Sequence, residues 1–496
     1  MHRPRPGTVQ AGKLTMAATT TAPPSDAIKR MLPWLVAVAF FMQSLDTTIL
    51  NTAVPAIAQA MDVMPLSVKA VLASYTLSLA VFIPVSGWMA DRFGTRRVFA
   101  SAIGVFTLGS VLCGLSTSLA MLVACRVLQG VGGAMMVPVG RMTLARTYGK
   151  ADLVRVMSFV AVPSLIGPMI GPVTGGLMVA YFNWRGVFYV NVPVGLLGVY
   201  FVYRHLPDYR EAKTHPLDVA GLVLFGGGIA LLSYVLEVFG DHSLSGAEML
   251  GLLALAAVLL AGYGIRARLT AFPLLNLGLF KLRTFRAAVS GGFVTRLGLG
   301  GIPFLFPLLY QIGLGFSPVQ SGLLVLPQAI ASLGMKTLMP TILSRLGYRT
   351  VLVGNTIVVG LMIMSFSSVG ADTPIWRIVL QAFVLGFFTS MQYTSMNTLV
   401  YADITGPQTA GASTIASTGQ QLAISFGVAG AAMIAAIFVP PEMHSHPDAI
   451  IHGAQQAFLV LGLLTVLSSA FFLELKADDG ATMSRHAAGP RQATKR

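Results

Sequence analysis

The sequence predicts an all-α integral membrane protein with 14 transmembrane helices: two six-helix bundles plus an inserted helix pair. Three observations predict it. The 496 residues are 55% hydrophobic and only 10% charged, with a mean hydropathy of +0.74. Long apolar runs recur along the whole chain, and Lys and Arg gather in alternate connections between them.

Composition bounds the class first. A soluble globular chain carries about 25% charged residues, so this one lacks the polar material to cover a water-exposed particle of its size. The net charge of +15 would suit nucleic acid only if the basic residues formed one water-facing patch; they fall instead in short groups between apolar runs. No nucleic-acid partner is expected. Cys113 and Cys125 both lie inside apolar runs, which points to packing rather than to a disulfide or a thiolate metal site.

A spanning helix needs about 20 mostly apolar residues. Such stretches occur near 33–57, 69–90, 98–117, 119–140, 156–180, 184–203, 217–239, 246–265, 287–310, 318–341, 351–369, 375–400, 412–438 and 455–474. Residues 1–30 and 476–496 read as cytoplasmic tails, and nothing before Met31 resembles a cleavable signal. Of the 33 Lys and Arg residues, 28 fall on the side of the two tails, and only Lys69, Arg185 and Arg377 on the other. Basic loops stay cytoplasmic, so both termini are expected there, in a multi-pass protein of the plasma (inner) membrane. Arg126 and Arg296 remain inside spans, while Lys336 counts with the cytoplasmic end of span 10.

Internal symmetry divides the chain. Val54–Gln59 recurs as Phe306–Gln311, Asp91–Arg96 as Ser344–Arg349, and Val127–Gly130 as Val379–Ala382, all at a shift of about 252. Each match is weak alone, but a common offset pairs spans 1–6 with spans 9–14. The expected units are therefore 31–204, a linker pair over 205–270, and 271–475. Repeated halves with a ligand site between them are a transporter architecture.

Four stretches carry chemistry. The turn from Gly87 to Arg97 holds Asp91, Arg92, Arg96 and Arg97 between Gly87 and Gly94. A positive-inside anchor would explain its arginines but not its carboxylate and glycines. In span 4, Arg126 opens a run of small residues through Gln129, Gly130 and Ala134. A charge at a helix centre costs about 2.5–3.5 kcal/mol, so Arg126 needs a partner or a wet cavity. Span 1 offers Asp46, roughly 20 Å along the helix from Pro33 and the one acidic residue of the first six spans away from their ends. Such a carboxylate either neutralises Arg126 or carries a proton. Span 5 sets Gly167, Gly171 and Gly175 on one face, suited to close helix contact, and Pro168 and Pro172 bend it; Gly176 follows.

Together with Asn183–Gly195 at the entry to span 6, these stretches resemble the major facilitator superfamily, and within it the fourteen-helix drug:proton antiporter group. The resemblance runs from about residue 31 to 475. It implies alternating access and export of drugs or other small molecules against entering protons, with no cofactor. It also implies roles: Asp46 and Arg126 in proton coupling; Gly87, Asp91, Arg92, Gly94, Arg96 and Arg97 as a conformational latch; Gly167, Pro168, Gly171, Pro172, Gly175 and Gly176 as an antiport hinge. One charge crossing 100 mV is worth about 2.3 kcal/mol, roughly a fifty-fold gradient of a neutral solute.

The substrate cavity is expected to use Asn51, Gln129, Arg296, Phe306, Tyr310, Gln392, Asn397 and Gln420. Arg296 in span 9 has no carboxylate in its own span. If it faces inward the cavity is neutral to positive, which leaves an organic anion or metabolite carboxylate as the alternative cargo to a lipophilic cation. His444, His446 and His452 share one loop region, without a metal site being expected. There is no phosphate-binding Gly-Lys-Ser/Thr, no His-Glu-x-x-His and no Gly-x-Ser-x-Gly, so an enzyme or ATP-driven pump is disfavoured. A non-transporting sensor is the reading of another class, and it lacks an output domain. Lipid, protons and a small solute are the expected partners; a periplasmic adaptor is left open.

Overall fold

The computed structural model describes residues 26–148, 150–211, 214–238, 245–404, 408–439 and 446–480. Most of both expected tails and His444 lie outside them, as does the side chain of Glu237, an acidic residue of span 7. Every regular element among the described residues is helical. In chain order these are α1 (Asp26–Ile49), α2 (Val54–Ala60), α3 (Lys69–Phe93), α4 (Thr95–Leu115), α5 (Leu119–Thr147), α6 (Lys150–Tyr181), α7 (Gly186–Tyr189), α8 (Asn191–His205), α9 (Val219–Val238), α10 (Gly246–Leu269), α11 (Arg283–Arg286), α12 (Gly292–Gly300), α13 (Ile302–Pro307), α14 (Pro318–Ser365), α15 (Ile375–Leu399), α16 (Thr409–Phe438) and α17 (Pro447–Ser468).

By length and hydropathy, 12 helical stretches among the described residues can cross a membrane. One of them, Pro318–Ser368, is 51 residues long and is interrupted at Gly347, whose φ of 74° leaves the helical region. That stretch holds two crossings. The 32-residue α6, with its apolar segment Ile166–Tyr181, supplies another, so the architecture is consistent with fourteen.

Gly347 matches Gly94 between α3 and α4, which has φ 94°. Both adopt the left-handed region that glycine enters without a Cβ penalty, at equivalent places in the two halves of the sequence. At Gly94 space is short as well, because a Cβ would collide with the Asp208 carboxylate.

Within the first half α1 packs on α6, α3 and α4 on α5, and α4 on α8; within the second, α14 packs on α15 and α17, and α12 on α16 and α17. The halves meet through α3 against α16 and α6 against α14. The inserted α9 and α10 lie on each other, and α9 also touches α3 and α16. Asp218 clips this pair together by accepting from Arg266 Nε at 2.7 Å and the Gly221 amide at 2.9 Å.

Candidate functional site

The site begins where α1 breaks. Thr47 and Thr48 turn their hydroxyls back onto the Gln43 and Ser44 carbonyls at 2.9 and 3.2 Å, a habit that bends helices. A tight turn at Asn51–Ala53 follows, then Pro55 in the first turn of α2. Asp46 lies one turn before the break.

Its carboxylate is caged. Oδ2 accepts from Arg126 Nη1 at 2.7 Å, while Oδ1 accepts from Gln129 Nε2 at 2.8 Å and Asn191 Nδ2 at 2.9 Å. Arg126 also donates to Gln129 Oε1 at 2.8 Å and to the Val71 carbonyl at 3.3 Å. Its guanidinium lies 4.2 Å from the centre of the Tyr75 ring, a cation–π contact. Asp46 and Arg126 are each 1% exposed. A buried ion pair is tolerated only where its spare donors and acceptors are satisfied, and here α1, α3, α5 and α8 each supply a group.

Beside the cage lies a cavity of about 460 Å³ between the halves. Thr48, Asn51 and Thr52 reach it from α1 and the turn that follows, Pro168, Met169 and Pro172 from α6, Phe306 from α13, Lys336 from the first part of α14, and Tyr393 and Asn397 from α15. One end is closed. There Gly176 meets the Pro318 backbone while Gly322 meets the Pro172 backbone, a reciprocal contact in which each glycine sits four residues after the proline its partner touches. Gln311 Nε2 also crosses between halves to the Thr52 carbonyl at 3.0 Å. Toward the end bearing the basic loops, the cavity reaches Asn397 and the exposed Lys336.

A sequence model described as Major Facilitator Superfamily matches residues 36–428. The chain belongs to that family. It is 38% identical over 445 residues to a candidate multidrug resistance protein, MdtD, of Serratia proteamaculans, covering 90% of this chain and 93% of that one. An MdtD of Escherichia coli is 39% identical over 444 residues, covering 90% and 92%. Among solved structures, a D-xylose–proton symporter superposes with a TM-score of 0.65 at 15% identity, covering 91% of this chain and 99% of that one. The peptide-family transporter PepTSo gives 0.66 at 14%, covering 92% and 98%; at such identities these two establish the fold alone. The chain is thus a transporter of the superfamily and not an enzyme.

In this superfamily protein the span 5 glycines divide their work. Gly167, Gly171 and Gly175 press onto Ser44–Leu45, Thr48 and Ile49–Thr52 of the first span, whereas Gly176 faces the other half. The turn after α3 is clasped by α5 and by the segment that follows α8. Asp91 accepts from Arg146 Nη2 at 2.8 Å, and Arg146 also donates to Glu211 at 2.9 Å. Arg92 and Arg97 are exposed, and the Arg96 side chain donates to the Leu206 carbonyl. The local arginine that Asp91 finds is therefore Arg146, from α5. Gly87 lines a recess of about 470 Å³ with Trp88, Asp91, Glu211 and His215.

Not every residue expected in the cavity wall lies there. Asn51, Phe306 and Asn397 do. Gln129 belongs to the Asp46 cage. Tyr310 is buried behind Phe306, rings stacked at 5.2 Å. Gln392 turns to Asn355 and Thr356, at 2.7 and 2.6 Å, because α15 packs that face on α14. Arg296 lies beside the cavity, 6% exposed, donating to Asn397 Oδ1 at 2.7 Å, and shares a small recess with Gln420. Sequence reasoning missed Asn191, Arg146 and Lys336. Lys336 had a signal, since it stands inside an apolar stretch of span 10, but it was grouped with that span's basic end. Among the described residues no cluster of three metal-ligating side chains occurs.

Proposed function

We propose that this protein is a proton-coupled exporter of small organic molecules, working by alternating access, with Asp46 as the group that takes up and releases the proton. The observation that carries the reading is the sealed Asp46–Arg126 cage on the same helix that walls the cavity. The MdtD relatives, named for multidrug resistance, support export of drug-like solutes. The end closed by the Gly176–Pro318 contact is read as external, so the state is inward-facing and both termini are cytoplasmic. A proton must reach Asp46 from outside, which requires the halves to part there and the cage to open. The test is reconstitution of the full chain in vesicles enclosing a pH dye. Solute-dependent proton movement under an imposed pH gradient is expected, and its absence across anionic, cationic and neutral solutes removes the reading.

Two predictions follow from the basic end. A reporter fused after Lys476 is expected to read cytoplasmic, and an external reading overturns the orientation. Asp91→Asn is expected to lower turnover several-fold with expression retained, since Arg146 then keeps Glu211 alone; Arg146→Ala should do the same. Wild-type turnover in both would reduce the turn to an anchor.

A further inference from the structure

Resting on the export reading above, we propose that the cavity selects amphipathic organic anions, with the Lys336 ammonium receiving the anionic end. Among the described residues no Asp or Glu lines the cavity. Asp46, beside the cavity on the helix that lines it, is already balanced by Arg126 at 2.7 Å. Positive charge is not balanced in the same way. Lys336 lines the cavity and is exposed, with no ion-pair partner among the described residues. Arg296 is buried with neutral acceptors only, Asn397 Oδ1 and the Gly292 carbonyl, and lies 5.1 Å from the Tyr393 ring centre; its Nε has no acceptor.

That pairing orients Asn397. Its oxygen is taken by Arg296, so its two amide hydrogens are the part left for a ligand, and Asn397 lines the cavity wall. An ammonium and an amide donor suit a carboxylate or sulfonate. The remaining wall, with Pro168, Met169, Leu299, Ile302 and Phe306, suits an aromatic or alkyl body. A lipophilic cation entering here would meet the Lys336 ammonium, with Arg296 behind Asn397, and no counter-charge among the described lining residues.

The charge of the cargo changes the energetics of exchange. One proton entering for one monoanion leaving moves two charges in the same electrical sense, each worth roughly fifty-fold in gradient per 100 mV. One proton exchanged for one monocation moves none.

The test uses two permanently charged probes of similar size, naphthalene-2-sulfonate and (2-naphthylmethyl)trimethylammonium, with the full chain. The sulfonate is expected to bind at least tenfold more tightly. Lys336→Ala should weaken it about tenfold while leaving the thermal midpoint of the purified protein unchanged, Lys336→Arg should restore it, and Lys336→Glu should reverse the preference. In vesicles, an imposed potential should drive sulfonate export. Preference for the ammonium or equal binding of the two overturns the anion class, and unchanged sulfonate affinity in Lys336→Ala overturns the role given to Lys336. Ammonium moved by a pH gradient would sink the anion class and leave proton-coupled export standing. Sulfonate moved without any proton dependence would do the reverse.

Discussion

Asp46→Asn is expected to reduce pH-driven export to the level of empty vesicles. The substitution removes the ionisable group and keeps its shape, so Gln129 and Asn191 still have an acceptor at 2.8–2.9 Å. It also leaves the Arg126 guanidinium buried without a counter-charge. Breaking one side of a buried pair costs about 3–5 kcal/mol, so a folding defect would imitate a coupling defect. The double variant Asp46→Asn with Arg126→Gln separates the two, because it removes both charges. We expect the thermal midpoint to recover in the double variant, solute binding to persist, and pH-driven export to stay absent. Concentration of solute by the double variant under a pH gradient would move the coupling site elsewhere.

The second large effect is expected at the closed end. Gly176→Leu and Gly322→Leu each place a branched side chain where a single Cβ already collides with the facing backbone, Pro318 in one case and Pro172 in the other. Backbone cannot yield there as a flexible side-chain tip would. Each variant should therefore hold the halves apart at that end, abolishing turnover while leaving the packing inside each half intact. The check is thiol labelling. Ser321→Cys, at a position buried in this state, should react with a membrane-impermeant maleimide added outside far faster in the Gly176→Leu background. Wild-type turnover in both leucine variants would remove this contact from the transport cycle.

Much of this was legible from the sequence, for physical reasons that differ by residue. Spans are legible because lipid demands long apolar runs. The Asp46–Arg126 pair is legible because two isolated charges in such runs need each other. Gln129 also had a signal: it lies three residues after Arg126, hence on the same helix face, and that places it in the cage rather than in the cavity. What could not be read is how each helix is rotated about its own axis. Gln392, Tyr310 and Lys336 sit on helices that are apolar on nearly all sides, so no polar stripe marks which face looks inward. The break in α1 could not be read either, since Thr47, Thr48 and Pro55 bend a helix by an amount that packing decides.

The arrangement of α1 sets a rule for the whole machine. Asp46 is shut inside its cage, while Thr48, Asn51 and Thr52, a few residues further along, form part of the cavity wall. On the proposed reading of Asp46, proton and cargo need share no atom, because each is sensed through where this one segment stands. The stroke is then counted in helix positions rather than in the identity of what is carried, and loose recognition need not mean a leaky gear.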